Sequence, residues 1–178
     1  MDVLSEIPLV AQPGQEFNYS VGIDVLGAIV EKVTGQTLME YLKEHILDPL
    51  EMYDTAFSFQ DERLDRVAQI YAQAPQRTVQ VPGQSKSYMP FDVNPWCRVE
   101  PNFYSGGGGI CTSADDFAKF STMILNKGTY KGKSVLKPET VELMTTNQLP
   151  ESFGKNALQN SFGEFAGNMY FGAGLGIT

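Results

Sequence analysis

The sequence predicts a mixed α/β fold of the α+β kind, helices with short strands between and after them. Two observations carry that expectation. Several stretches show the spacing of one helical face with recognisable starts and stops. The apolar runs between and after them are short and bounded by Gly and Pro, as strands are.

Residues 1–12 read as an approach segment, the tail of an upstream helix. Pro13-Gly14 is a turn dipeptide. After Tyr19-Ser20, apolar residues at Val25, Leu26, Ile29, Val30 and Val33 form one helical face. The first helix is therefore expected from about Gly22 to Val33, with Gly35 just past its end. Tyr19 then stands at the mouth of a helix, fixed by a turn before it and a packed helix behind it. A reacting side chain needs that kind of placement.

Thr37 caps a second helix, and Glu40 at its third position completes a capping box. Leu38, Tyr41, Leu42 and Ile46 give it an apolar face, and Pro49 ends it. Leu50 to Thr55 is a turn. From Phe57 to Asn102 the periodicity is poor. Val67-Ala68-Gln69-Ile70-Tyr71 and Thr78-Val79-Gln80-Val81 are strand candidates within a proline-punctuated stretch. A loop this long inside a domain rims a cleft or is a poorly patterned surface excursion. Ser113 caps a third helix with Asp116 at its third position, an acidic variant of the capping box. Phe117, Phe120, Ile124 and Leu125 are expected to face a core, with Gly128 at the end. Lys131-Gly132-Lys133 is a hairpin turn, and Pro138 opens a short fourth helix through Met144. The last residues, Tyr170 to Thr178, read as a strand just beginning, its backbone unpaired.

The chain has 178 residues, enough for one domain with a real core. Its net charge is −8 and its 13 Lys and Arg form no cluster, so nucleic-acid binding is not expected. No apolar run is long enough for a membrane span. The N-terminal residues lack the basic region and apolar stretch of a secretory signal. Two cysteines, Cys97 and Cys111, make neither a disulfide framework nor a metal site, and the reading favours two thiols over a bond between them. No ligand set has metal spacing, so neither a metal nor a cofactor is expected.

Three blocks carry a resemblance. Pro13-Gly14-Gln15-Glu16-Phe17-Asn18-Tyr19-Ser20-Val21 runs into the helix Val25-Leu26-Gly27 to Gly35. Gly106-Gly107-Gly108-Gly109-Ile110-Cys111-Thr112-Ser113 leads into Met123-Ile124-Leu125-Asn126-Lys127-Gly128. Leu136-Lys137-Pro138-Glu139 leads to Met144. Their order and spacing, from Pro13 to Leu149, resemble the serine β-lactamase-like hydrolases, in particular the class C β-lactamase, DD-peptidase and family VIII carboxylesterase branches. The resemblance implies that residues 1–178 are a single partial domain, the middle of a longer protein. It places a nucleophilic serine and its lysine upstream of Tyr19 and the rest of the sheet downstream. On that footing the isolated chain is expected to be inactive.

By that resemblance Tyr19 is the catalytic residue, a general base. Its ordinary pKa is about 10, and a neighbouring ammonium lowers it. Tyr and Lys together would take the serine proton, as histidine does in a triad. Ser20, Val21, Gly107 and Gly108 are read as lining the substrate cleft. Val21 departs from the β-lactamase branch, which carries Asn there, and this favours an ester over a β-lactam. The expected partner is a small-molecule ester or amide. β-Lactamase or DD-peptidase activity, and a non-catalytic ligand- or peptidoglycan-binding relative, stay open as alternatives.

The competing chemistries are weaker. Ser134-Val135-Leu136-Lys137 and Ser152-Phe153-Gly154-Lys155 match Ser-x-x-Lys but follow Tyr19, and short matches of this kind arise by chance. His45 is the only histidine and sits at a helix end, where its charge suits the dipole. The four glycines 106–109 are not followed by Lys-Ser/Thr, so they form no P-loop. Asn18-Tyr19-Ser20 is formally a glycosylation sequon, which a cleft-facing Tyr19 argues against.

Overall fold

The computed structural model describes residues 2–73, 88–91, 97–153, 158, 162–166 and 169–177. Helix α1 covers Asp2–Ser5 and α2 covers Gly22–Thr34. Gly35 closes α2 in the left-handed conformation (φ 74°) and donates its N–H to the Glu31 carbonyl, a stop that only glycine makes without strain. The capping box of α3 (Leu38–Leu42) is complete: Thr37 accepts from the Glu40 amide, and the Glu40 carboxylate takes the Thr37 N–H at 2.8 Å. The helix then widens into a π-helical turn, Lys43–Leu47, and ends before Pro49.

The stretch of poor periodicity holds a short 3₁₀ helix, Glu62–Arg66, and a two-stranded antiparallel ladder of β1 (Ile70–Gln73) with β2 (Tyr88–Phe91). The strand expected from Val67 thus begins at Ile70. Val67 instead packs against the core below the 3₁₀ helix. The candidate strand at Thr78–Val81 lies outside the described residues.

Helix α4 spans Ala114–Leu125 and is capped by Ser113, which accepts the Asp116 N–H. Two expectations for it need correction. Asp116 is buried, and its carboxylate serves other partners, described below. Its core face is centred on Met123, which is fully buried, with Phe120 and Ile124 beside it. Phe117 and Leu125 are 59% and 82% exposed. The apolar spacing left two neighbouring faces open, and packing on the 47–52 turn selects the Met123 side.

Strands β3 (Thr129–Tyr130) and β4 (Lys133–Ser134) form a tight hairpin. Both turn residues have positive φ, Lys131 at 46° and Gly132 at 79°, as a type I′ turn demands. Helix α5 is Pro138–Thr145. The closing stretch is not an unpaired strand. β5 (Tyr170–Phe171) and β6 (Gly176–Ile177) pair with each other around Gly174. The Gln148 and Ala173 amides tie this hairpin to the end of α5 through the Phe171 and Leu143 carbonyls.

Among the described residues the core has two connected parts. One gathers Leu47, Leu50, Met52 and Met123, and the other gathers Ala56, Phe59 and Cys97. Met39 packs against both. Each large side chain buried this way contributes about 1.5–3 kcal/mol. Helix α2 contributes little apolar bulk. Leu26, Ile29 and Val33, read as core-facing, are exposed, and the buried residue is Gly27. Close backbone approach, not a stripe of large side chains, holds α2 in place here. Among the described residues no helix is long and apolar enough to cross a membrane.

Candidate functional site

The segment leading to Tyr19 is fixed at both ends. Gln15 donates its N–H to the Gln12 carbonyl at 3.1 Å, closing a turn with Pro13 and Gly14 at its centre. Gly14 has φ 81°, the geometry a type II turn requires after proline. Phe17 packs on Phe171 of β5, ring centroids 5.2 Å apart. Tyr19 packs on Phe162 at 4.9 Å and edge-on to Phe171 at 6.5 Å. The ring is held on one side while the residue stays 52% exposed. Ser20 is exposed, and Val21 is the N-cap of α2, its carbonyl accepting the first helical bond from Val25.

The glycine loop 106–109 lies on the first turns of α2. A Cβ on Gly106 would overlap the Ile23 carbonyl oxygen, and one on Gly27 would stand 3.3 Å from the Gly106 backbone. Gly107 is confined less strictly, since a Cβ there would meet a side-chain atom, Asp24 Oδ2, at 2.8 Å. Asp24 accepts the Ser105 hydroxyl and, at 3.4 Å, the Gly107 N–H. A carboxylate in the first turn of a helix is also favoured by the helix dipole. The glycines here permit loop and helix to touch.

Beyond Asp24 the same loop forms one wall of a cleft of about 550 Å³. Its lining is mostly apolar: Phe57, Val99, Pro101 and Phe103, with Gly108 and Gly109 at the side and Ser105, Glu100 and Asn102 as polar groups. Glu100 accepts hydroxyl bonds from Ser58 and Tyr104. Those two bonds hold its carboxyl below the usual glutamate range. Tyr104 responds in the opposite sense. Its bond to Glu100, with burial, pushes the phenol up to about 12. The cleft therefore carries a fixed negative charge beside an apolar floor.

The sequence-named residues are distributed as follows. Gly108 lines this cleft, and Gly107 sits against Asp24 at its edge. Tyr19, Ser20 and Val21 are outside its lining and reach it indirectly, since the helix that begins after them holds Ser105. Ser134 is on the exposed strand β4, with Lys137 as the N-cap of α5, and Ser152 is in a 3₁₀ turn. His45 packs against Tyr41 with the rings tilted and their centroids 4.4 Å apart.

Sequence reasoning missed two groups. Asp24 was hidden because its partners lie some eighty residues away, although an acid in the first turn of a helix is itself a visible signal. Asp116 was read as a cap residue. Its carboxylate in fact accepts the Asp54 N–H at 2.7 Å, the Thr55 hydroxyl at 2.9 Å and the Lys119 ammonium at 2.7 Å. It thereby pins the start of the 55–59 segment under the cleft.

The solved structure of EstCE1, described as a hydrolase with promiscuous acyltransferase activity, superposes with a TM-score of 0.69 at 27% identity, over 98% of this chain and 44% of that one. The Mycobacterium tuberculosis protein Rv1367c is 36% identical over 148 residues, 83% of this chain and 35% of its own length. A putative D-alanyl-D-alanine carboxypeptidase of Escherichia coli K12 is 30% identical over 160 residues, again 83% of this chain and 35% of its length. The chain thus spans about a third of the curated relatives it matches. The family described as Beta-lactamase matches residues 1–176, and with the mixed helix-and-hairpin fold this establishes that the chain belongs to the beta-lactamase family.

Proposed function

We propose that the protein containing this chain is a serine hydrolase that cleaves esters through an acyl-enzyme, with Tyr19 as general base. The observation that carries this reading is the placement of Tyr19. It is pinned on Phe162 and Phe171 with its residue half exposed, directly before a helix whose first turn holds the cleft loop through Asp24. Such a group has little freedom and can approach a reacting atom.

In this reading the nucleophilic serine and its lysine lie outside these residues. Serine Oγ attacks the ester carbonyl as Tyr19 and the lysine together take its proton. The tetrahedral intermediate collapses, the C–O bond to the alcohol breaks, and the proton passes to the departing oxygen. Water then attacks the acyl carbonyl and gives its proton to the same base; the bond from the carbonyl carbon to serine Oγ breaks, the proton returns to serine, and the acid is freed. Val21 at the helix start offers no amide to a β-lactam, and the mostly apolar lining suits an acyl or alcohol group. EstCE1 lends support, being described as a hydrolase with acyltransferase activity; an alcohol in place of water would give that second outcome.

The test is turnover by the full-length protein. p-Nitrophenyl butyrate should be hydrolysed faster than nitrocefin, with an acyl adduct on serine trapped by mass spectrometry. Preference for nitrocefin or for a D-Ala-D-Ala peptide would move the reading to the β-lactamase or DD-peptidase branch. No turnover of any of them would favour a ligand-binding relative.

A further inference from the structure

The two cysteines bracket the cleft. Apart from Phe57, every residue of its lining belongs to the segment 98–110, between Cys97 and Cys111. Both ends of that segment are fastened to the same short stretch. The Phe59 N–H donates to the Cys97 carbonyl at 2.8 Å, while Ala56 and Cys111 exchange two backbone bonds at 3.0 and 2.8 Å. Both side chains belong to the same packed region. Cys97, 2% exposed, belongs to the core cluster of Ala56 and Phe59, and Cys111 packs against that cluster. Burial first, and then the neighbouring Cys97 sulfur, push the Cys111 thiol above its ordinary value.

We propose that Cys97 and Cys111 are a modification site: a small disulfide such as oxidised glutathione converts them to a Cys97–Cys111 disulfide that locks the 98–110 wall of the cleft. The step balances without a further reagent. Cys111, the more accessible of the two, loses its proton and attacks one sulfur of the glutathione disulfide, releasing one glutathione thiol. Cys97 then attacks Cys111 Sγ in the mixed disulfide and displaces the second. Two protein thiols are oxidised, and one glutathione disulfide is reduced to two thiols. Burial, with the neighbouring Cys97 sulfur, pushes the Cys111 thiol up to about 11, so the reaction is slow at neutral pH. In the reduced protein the two ends of the wall are held to the 56–59 stretch by backbone hydrogen bonds alone. In the oxidised protein they are also joined covalently, which limits how far they can separate.

The test uses the full-length protein equilibrated overnight at mildly alkaline pH in glutathione buffers of increasing oxidation. The expected product has lost two hydrogens, yields one peptide cross-linked between Cys97 and Cys111, and is restored by dithiothreitol. Amides of 98–110 should exchange with deuterium roughly tenfold more slowly after oxidation, with other segments unchanged. A Cys97→Ser variant should stop at a glutathione adduct on Cys111. Untouched thiols in the most oxidising buffer, or stable glutathione adducts on the wild type, would overturn the proposal. So would a cross-link that leaves exchange of 98–110 unchanged. None of these readouts depends on catalysis, so the result stands apart from the ester-hydrolase reading.

Discussion

Asp24 holds the hydroxyl of Ser105, 81 residues further along the chain, and so fastens the start of α2 to the wall of the cleft. Removing that carboxylate strands the Ser105 hydroxyl in a partly buried contact, while the exposed Gly107 N–H can turn to solvent. Asp24→Ala should cost about 1–3 kcal/mol in urea unfolding, the scale of losing a charged acceptor. Asp24→Asn keeps an acceptor oxygen and should cost clearly less. Equal losses would mean that the contact does not hold the loop.

Close approach of the loop to α2 predicts a sharp difference between adjacent glycines. Gly106→Ala drives a methyl into the Ile23 carbonyl and should destabilise by about 1–3 kcal/mol. Gly108 has open space around its Cβ position, and Gly108→Ala should stay within about 0.5 kcal/mol of the parent. Thermal unfolding of the two variants checks this, and similar melting temperatures would contradict the packing described.

Asp116 serves three donors from a buried position. Asp116→Ala leaves the Asp54 N–H and Thr55 hydroxyl without that acceptor and takes away the ion-pair partner of Lys119. The loss should be about 3 kcal/mol, below the full cost of breaking a buried pair because Lys119 can turn to solvent. Chemical denaturation reads it directly, and a loss under about 1 kcal/mol, the worth of one ordinary hydrogen bond, would contradict the network.

The Glu100–Tyr104 bond makes stability fall at both ends of the pH scale. Glu100 is held low by Ser58 and Tyr104, so its contribution is present above the ordinary glutamate range and is lost on acidification through its lowered value. Tyr104 is raised to about 12, so its contribution is present below the ordinary tyrosine value of about 10 and is lost as pH rises from there to about 12. Tyr104→Phe should flatten the alkaline fall and remove one late-titrating tyrosine from a tyrosinate absorbance titration. A variant that titrates like the parent would exclude the bond.

Local signals were legible in the sequence wherever a residue and its partner sit within one turn. Gly35, the Thr37–Glu40 box, the Ser113 cap, the Lys131-Gly132 hairpin turn and Pro138 all act at short range. What the sequence hid depends on distant partners. Asp116 reads as a cap residue until Thr55 is brought to it, and Phe117 and Leu125 read as core until Met123 takes the buried position. Of the cleft, the proline-rich loop and Gly108 were legible; the rest stayed hidden because the lining combines Phe57 with residues some forty positions later.

Tyr19→Phe in the full-length protein tests the central claim most directly. The substitution removes one hydroxyl and keeps the ring on Phe162 and Phe171. Stability should fall by no more than about 1–2 kcal/mol, and KM should change little. General-base assistance is worth about 10²- to 10⁴-fold, so kcat for p-nitrophenyl butyrate should drop by that factor, while Ser134→Ala and Ser152→Ala leave it unchanged. A Tyr19→Phe enzyme that keeps more than about a third of the wild-type kcat, far above any general-base effect, would contradict the assignment of Tyr19 as the base.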